Sequence, residues 1–595
     1  MTFSLAAACL LSIASSAEPS TEESANYEAR LEKWALDLYH RERDPQPEGK
    51  RVGEILVASE NIVGPEDPWP QLINFFHWKT KEHVIRQELL FAPGDPYTEW
   101  SAAESERNLR KLAILALVRV LPVKSVDPNR VDVLVVTKDL LSIRLNTQFN
   151  VVGSLVETLR IRPSELNFLG RNKQVYLDFL LHLDTLSIGE GYVDPRIAGT
   201  RLALTQSAAV ILNRHTQKPE GSRGQLSFGL PLYSLQAERG FQLSGSWDVE
   251  TVRLFRGASV WLLPFPSAGA QTASIPFIYD AHELAAEGIY TRSYGSYFKT
   301  NLSAGLGAYS RRYEPPRSSN LPDDQRAWLI ANYLPLTEKA VYLTGRVDAF
   351  QAEYRILRDI GTFALSEDYQ LGYAALASLR WAEPTLGSTR RFLEGAVVAR
   401  YRVYRFDDLA TLSAGAAIRL ESSGPDGFGA GWVNKRAALE LVNISPVIGI
   451  GRIAARGFWV GNANDLQHRL IALGGGDGVR GIPPQALIGP NAVVFNLEYR
   501  SKSLAFQTVH VGFVVFWDAG SAYPQSPGST NQPGGLTHTI GMGLRILLPQ
   551  FNRVPIRIDF GYALNGPRPS FIDSISTSFG QVFDYRPTLL DQFAD

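Results

Sequence analysis

From Asp139 to Phe583 the chain alternates, segment after segment, between apolar residues and polar or small ones. A period of two sends successive side chains to opposite faces of a strand, so this pattern commits most of the molecule to β-structure. In Ser142–Val151, Ile143, Leu145, Thr147, Phe149 and Val151 face one way, and Arg144, Asn146, Gln148 and Asn150 the other. In Ile556–Leu564, Ile556, Ile558, Phe560, Tyr562 and Leu564 oppose Arg557, Asp559 and Gly561, and in Val397–Tyr404, Ala399, Tyr401 and Val403 oppose Arg400 and Arg402. A soluble sandwich would place those charges on its outside and a membrane barrel would place them in its lumen. Segment length helps to choose: about sixteen such segments occur in roughly 440 residues, many of ten or more residues, longer than soluble strands and suited to a tilted membrane crossing. No linker divides the region, so residues 140–583 are expected to form one outer-membrane antiparallel β-barrel of about 16 strands.

Composition agrees. Of 595 residues 11% are aromatic, with 50 Gly but 2 Met and 1 Cys, a profile of β-rich chains more than helical ones. Lys+Arg 59 balance Asp+Glu 60, which argues against a nucleic-acid partner and, with 45% hydrophobic residues, against disorder.

The first residues explain the cysteine. An apolar run, Leu5 to Ala14, is followed by Ser15, Ser16 and Ala17, the pattern of an export signal, so residues 1–17 are expected to be a signal peptide whose cleavage removes Cys9. Beyond it no uninterrupted apolar run of 18 residues occurs; Gly257 to Tyr279 is broken by Pro264, Pro266 and Pro276. Residues 18–48 read as a polar linker with one amphipathic helix, its stripe formed by Tyr27, Leu31, Trp34, Ala35, Leu38 and Tyr39. Residues 49–139 read as a small β-α-α-β-β unit: strand Arg51 to Ala58, helices Thr80 to Leu90 and Glu99 to Leu112 on either side of Pro93-Gly94-Asp95-Pro96, and strands Leu117 to Val123 and Arg130 to Thr137. The two last strands are expected to offer an edge to client or partner chains. Trp69, Phe75, Phe76 and Trp78, in the long connection Asn61 to Trp78, are expected to cover the small core, with a partner site as the alternative. Residues 584–595 read as a C-terminal extension.

Two stretches carry chemistry. Gly474 to Ile482 contains G-x-G-x-x-G at Gly476, Gly478 and Gly481, but Pro483-Pro484 follow where a dinucleotide site needs a helix N-terminus, and no βαβ pattern surrounds it. Val514 to Tyr523 is an apolar strand with Asp518 near its centre, and an acid there is costly unless paired. Arg480 in the segment Gly461 to Gly489, with Glu498 on the following strand, makes a lumenal cluster of arginine and carboxylates physically reasonable.

Val479-Arg480-Gly481-Ile482 resembles the V-R-G-[FY] motif of the sixth extracellular loop, and Phe516-Trp517-Asp518-Ala519-Gly520 the F-x-D-x-G strand motif, of the BamA/TamA-like outer-membrane insertase and translocase superfamily (bacterial surface antigen family). Asn167-Phe168-Leu169-Gly170 and Tyr192-Val193-Asp194-Pro195-Arg196 resemble early barrel segments of its TamA-like members, and the small unit resembles one POTRA domain. The resemblance implies that Arg480 contacts Asp518 and Glu498 and holds the loop inside the lumen, with Ile482 where the family usually has an aromatic. It implies a protein of the Gram-negative outer membrane, with its POTRA-like domain in the periplasm, that inserts or translocates unfolded or secreted client polypeptides by strand addition at a lateral seam and at the POTRA edge, and that meets a periplasmic partner there. A passive porin or solute channel is the alternative. With no G-x-S-x-G, H-E-x-x-H or P-loop, no enzymatic activity, cofactor or metal is expected.

Overall fold

The computed structural model describes residues 23–579 apart from 65–69, 153–154, 257–258, 267–272, 317–319, 364, 423–430, 476–477, 484, 507–508, 524–534, 550–553, 567–570 and 572–574. The expected signal peptide, Trp69, Phe583 and the C-terminal extension lie outside the described residues.

The small domain is a three-stranded mixed sheet in which Arg130–Asp139 is central, parallel to Arg51–Glu60 and antiparallel to Leu115–Lys124. Helices Glu82–Arg86 and Glu99–Arg110 cover one face, over a core that includes Val52, Ile85, Leu109, Ile114, Val133 and Val135. Thr98 starts the longer helix, its Oγ1 accepting the Ser101 N–H at 3.1 Å and so satisfying one of the donors that a helix start leaves open. The entry helix Glu23–Leu38 rests Leu31 and Ala35 on the opposite face, beside Leu56, Leu117 and Val136, with Trp34 and Tyr39 of its expected stripe packed against them; Leu38 of that stripe is exposed.

Two expectations for this domain are corrected. Arg130 to Thr137 is the centre of the sheet, because its run of Val and Leu is buried on both faces. Leu115–Lys124 is an edge, but its Val120 N–H donates to Glu106 Oε2 at 2.8 Å, and its end is bonded to the chain at Glu42 to Asp44. Nor do the aromatics cover the core. Leu72, Phe75, Phe76 and Trp78 are exposed on and just after the 3-10 turn Gln71–Phe76, because the valines and leucines of the sheet already fill the interior.

The rest of the chain is a single antiparallel sheet that closes on itself, the last strand Ile575–Phe579 lying beside the first, Ile143–Val152. The ring contains twenty-two strand segments among the described residues. Glu338–Gln351 with Glu353–Leu357, and Asn491–Ser501 with Leu504–Phe506, each face one continuous neighbour and form single broken staves, which leaves twenty staves. The expected count of about sixteen is therefore too low. Strands such as Pro219–Leu230 carry Gly and Ser on both faces, so their alternation is faint in the sequence.

The ring is amphipathic in the inverted sense. Along Ile556–Ala563, Ile558, Phe560 and Tyr562 point outward, Tyr562 being 53% exposed, whereas Asp559 on the inner face is 0% exposed. Apolar side chains outside and charges inside suit a wall whose outer face meets lipid. No helix among the described residues is long and apolar enough to cross a membrane, which says nothing of a crossing by strands.

The small domain lies across one mouth of the ring and is tied to it at several staves. Arg110 makes two 2.8 Å bonds to Asp368, Arg107 stacks 3.9 Å from the Tyr354 ring centroid, Arg196 reaches Glu88 at 2.7 Å, and the Leu235 N–H donates to Glu104 at 3.2 Å. Phe363, Leu365 and Leu547 of the ring join the apolar face that holds the entry helix. Replacing Arg110 or Asp368 by Ala is expected to speed hydrogen exchange in Glu99–Arg110 and Glu353–Leu357. The double variant should add little to either single one, since both remove the same contact. Simple additivity would show that the pair does not hold the domain.

Candidate functional site

The segment between staves Gly451–Ala463 and Asn491–Ser501 folds into the ring instead of standing above it. A short hairpin, Ile471–Leu473 with Leu487–Gly489, frames it, and the Gly475 N–H donates to the Ile482 carbonyl at 2.8 Å. At its tip Val479, Arg480 and Ile482 are buried.

Arg480 is the centre of the contact. Its Nε and Nη2 donate to the two oxygens of Asp518 at 2.7 and 2.8 Å, a bidentate fork, and its backbone N–H adds a third bond to Asp518 at 3.1 Å. Its Nη1 donates to Glu498 at 2.6 Å and to Asp559 at 3.0 Å. The guanidinium carbon lies 3.5 Å from the centroid of the Phe516 ring, a cation–π contact shielded from water.

Strand geometry explains why the motif is spaced as it is. Phe516, Asp518 and Gly520 are alternate residues of Val509–Tyr523 and share its inner face. Phe516 lies under the Arg480 guanidinium, Asp518 takes its fork, and Gly520 leaves room for Val479, since a Cβ there would stand 2.5 Å from Val479 Cγ2. Gly481 has φ +80°, and a Cβ on it would meet the backbone of Gly561 at 2.6 Å. The loop therefore touches the wall backbone to backbone, which only glycine allows on both sides. Ile482 completes the seat with Val479 and Ala563, supplying the apolar packing at this position.

All the expected residues are thus brought together: Val479, Arg480, Gly481 and Ile482 on the loop, Glu498 on one stave, and Phe516, Asp518 and Gly520 on the next. Sequence reasoning missed the rest. Asp559 is a third carboxylate, bound also by Arg545 at 2.5 Å and paired with Arg557 at 3.4 Å. Arg500 holds the other Glu498 oxygen at 2.7 Å, and Asn496 bridges Asp518 and the Gly478 carbonyl at 2.8 Å each. The signal for Asp559, Arg557 and Gly561 was present in their alternation, which puts them on the inner face; only the register reveals that they face the loop.

Each carboxylate is matched by a guanidinium, so the arrangement neutralises buried charge and fastens the loop to three staves. Among the described residues no group of His, Cys, Asp and Glu is placed to hold a metal. Arg480→Ala is expected to leave Asp518 without its fork and to cost roughly 3–5 kcal/mol of barrel stability. The folded-to-unfolded transition on heating in detergent should fall accordingly. Gly481→Ala should also lower it, whereas Gly345→Ala, where a Cβ would enter open space, should leave it nearly unchanged. Equal effects of the two glycine changes would contradict the close approach.

Comparison with known proteins places this region. No curated protein matches the chain. Among solved structures, BamA from Haemophilus ducreyi lacking POTRA domains 1–3 is 12% identical, with 89% of this chain and 84% of that chain covered and a TM-score of 0.33. CdiB from Escherichia coli is 10% identical, with 95% and 88% covered and a TM-score of 0.42. CdiB from Acinetobacter baumannii is 13% identical, with 89% and 73% covered and a TM-score of 0.35. Residues 451–583, which hold the folded-in loop and the three staves that Arg480 binds, match the Omp85 superfamily domain.

Proposed function

We propose that this protein is a non-enzymatic machine of the Gram-negative outer membrane that inserts or translocates client polypeptides, with residues 49–139 as a POTRA-like domain in the periplasm. The observation that carries the reading is the latch just described. A loop held in the lumen by a buried arginine on three carboxylates occupies space that a passive pore needs for its solute. The domain lying across the mouth supports the same reading against a porin, since it spans staves from Arg196 to Asp368.

The seam offers the means of action. The last described stave, Ile575–Phe579, carries the small hydroxyl residues Ser576, Thr577 and Ser578; it pairs with Ile556–Ala563 on one side and adjoins the first stave, Ile143–Val152, on the other. An unpaired backbone group in lipid costs several kcal/mol, so wherever the two terminal staves part, the first one offers its backbone as a template for an incoming strand. The outer edge of the small domain is the lesser contributor, because Glu106 and the chain at Glu42 to Asp44 already occupy much of it.

Cysteine pairs scanned between residues 145–147 and 575–579, in a Cys9→Ser background, should form disulfides wherever Cα atoms come within about 7 Å. Locking the seam should stop client insertion or export and reduction should restore it. Normal activity in a locked barrel would replace lateral opening by passage through the lumen, and steady large conductance in liposomes would favour the porin.

A further inference from the structure

The aromatic connection of the small domain is not a loose loop. Asn74 donates to the Val63 carbonyl at 2.9 Å and accepts the Val63 N–H at 3.0 Å, fixing one end of the 3-10 turn. At the other end His77 lies 2.8 Å from Asp139 and 3.3 Å from Ser142, where the chain enters the first stave. The Trp78 carbonyl accepts from Asn167 Nδ2 at 3.0 Å, and the Trp78 ring meets Phe168 edge to face at 5.5 Å. The Lys81 N–H donates to the Gly170 carbonyl at 3.0 Å. The segment is thus stapled to the turn between the second and third staves, Leu155–Glu165 and Gln174–His182, next to the seam.

On this braced platform Leu72, Phe75, Phe76 and Trp78 remain exposed, Phe75 by 81%. Holding large apolar groups in water on a rigid support is unfavourable unless something covers them. Continuity with the ring points to what does. Leu169, in the turn that Trp78 braces, is itself exposed, and above it the outward residues Leu145, Ile161 and Leu177 belong to the apolar belt. Lys79, Lys81 and Arg171 are exposed beside the same turn. Aromatic and aliphatic residues flanked by basic ones suit the boundary between acyl chains and anionic headgroups.

We propose that Leu72, Phe75, Phe76 and Trp78, with Lys79, Lys81 and Arg171, form an interfacial membrane anchor that enters the leaflet on the domain's side of the barrel, beside the seam. The inference rests on the reading of the ring as membrane-embedded. It assigns the segment a lipid occupant: the bilayer at the place where a client strand would enter, held close to the domain and disturbed by the inserted side chains.

The test is fluorescence quenching of the full chain in phosphatidylethanolamine–phosphatidylglycerol nanodiscs containing brominated lipid. In a Cys9→Ser background an environment-sensitive label is placed by Phe75→Cys, by Leu284→Cys on the outer face of the ring, or by Val126→Cys on an exposed loop of the small domain. Quenching at positions 284 and 75 but not at 126 is expected, the label at 75 lying about 5–10 Å into the headgroup boundary. Replacing phosphatidylglycerol by a zwitterionic lipid should weaken quenching at 75, and Lys79→Gln with Lys81→Gln should abolish that dependence; a dependence unchanged in the double variant would overturn the role of the basic flank. Quenching at 284 without quenching at 75 would overturn the anchor and leave the patch to a polypeptide partner. Absence of quenching at 284 would overturn the membrane-embedded barrel itself, and the anchor with it.

Discussion

A guanidinium cannot shed its charge inside a protein, so Arg480, once buried, obliges the wall around it to supply carboxylates. That constraint organises the last third of the chain. Glu498, Asp518 and Asp559 stand on three different staves, and they converge on one residue only if the register between those staves is kept. Three acids in one place would repel one another, and Arg500, Arg545 and Arg557 offset them. The result is a charged core inside a barrel, in which the loop and the sheet each complete the other's hydrogen bonds. Its energy is best seen as specificity: few arrangements of the loop satisfy every member.

Size gives the latch a further role. A ring of twenty staves encloses more space than side chains alone can fill. The folded-in loop takes part of that space from one end, and the small domain covers the mouth at the other through Arg110, Arg196 and Phe363. Charges line the inside, apolar residues the outside, and the ring closes where its last described stave, Ile575–Phe579, lies beside its first, Ile143–Val152.

Much of this was legible in the residues. Period-two alternation with charge on one face is a direct consequence of the pleat, and it foretold the inverted barrel at Ile556–Ala563 and around Arg400 and Arg402. The small domain's elements followed from breakers and caps, and the loop and strand motifs named most of the latch. What escaped is non-local. The number of staves was hidden by strands rich in Gly and Ser, which pack without a strong apolar signature. Asp559 and Gly561 were seen to face inward, but their meeting with Arg480 and Gly481 depends on strand register and loop path, which no local pattern encodes. The sheet order of the small domain, with Arg130–Asp139 in the centre, is likewise a matter of topology, although its unbroken run of Val and Leu was the available clue. The exposed aromatics at Leu72–Trp78 broke the rule that large apolar residues fill cores, and such exceptions tend to mark function.

The claim on which the rest depends is that Arg480 keeps the loop seated in the lumen. Ile482 and Ala563 are buried in the same small apolar cluster at that seat, so Ile482→Cys with Ala563→Cys, in a Cys9→Ser chain, reports seating directly by disulfide formation in native membranes. The account predicts ready formation when Arg480 is present and a large drop in yield when it is replaced by Ala. Equal yields with and without Arg480 would contradict it.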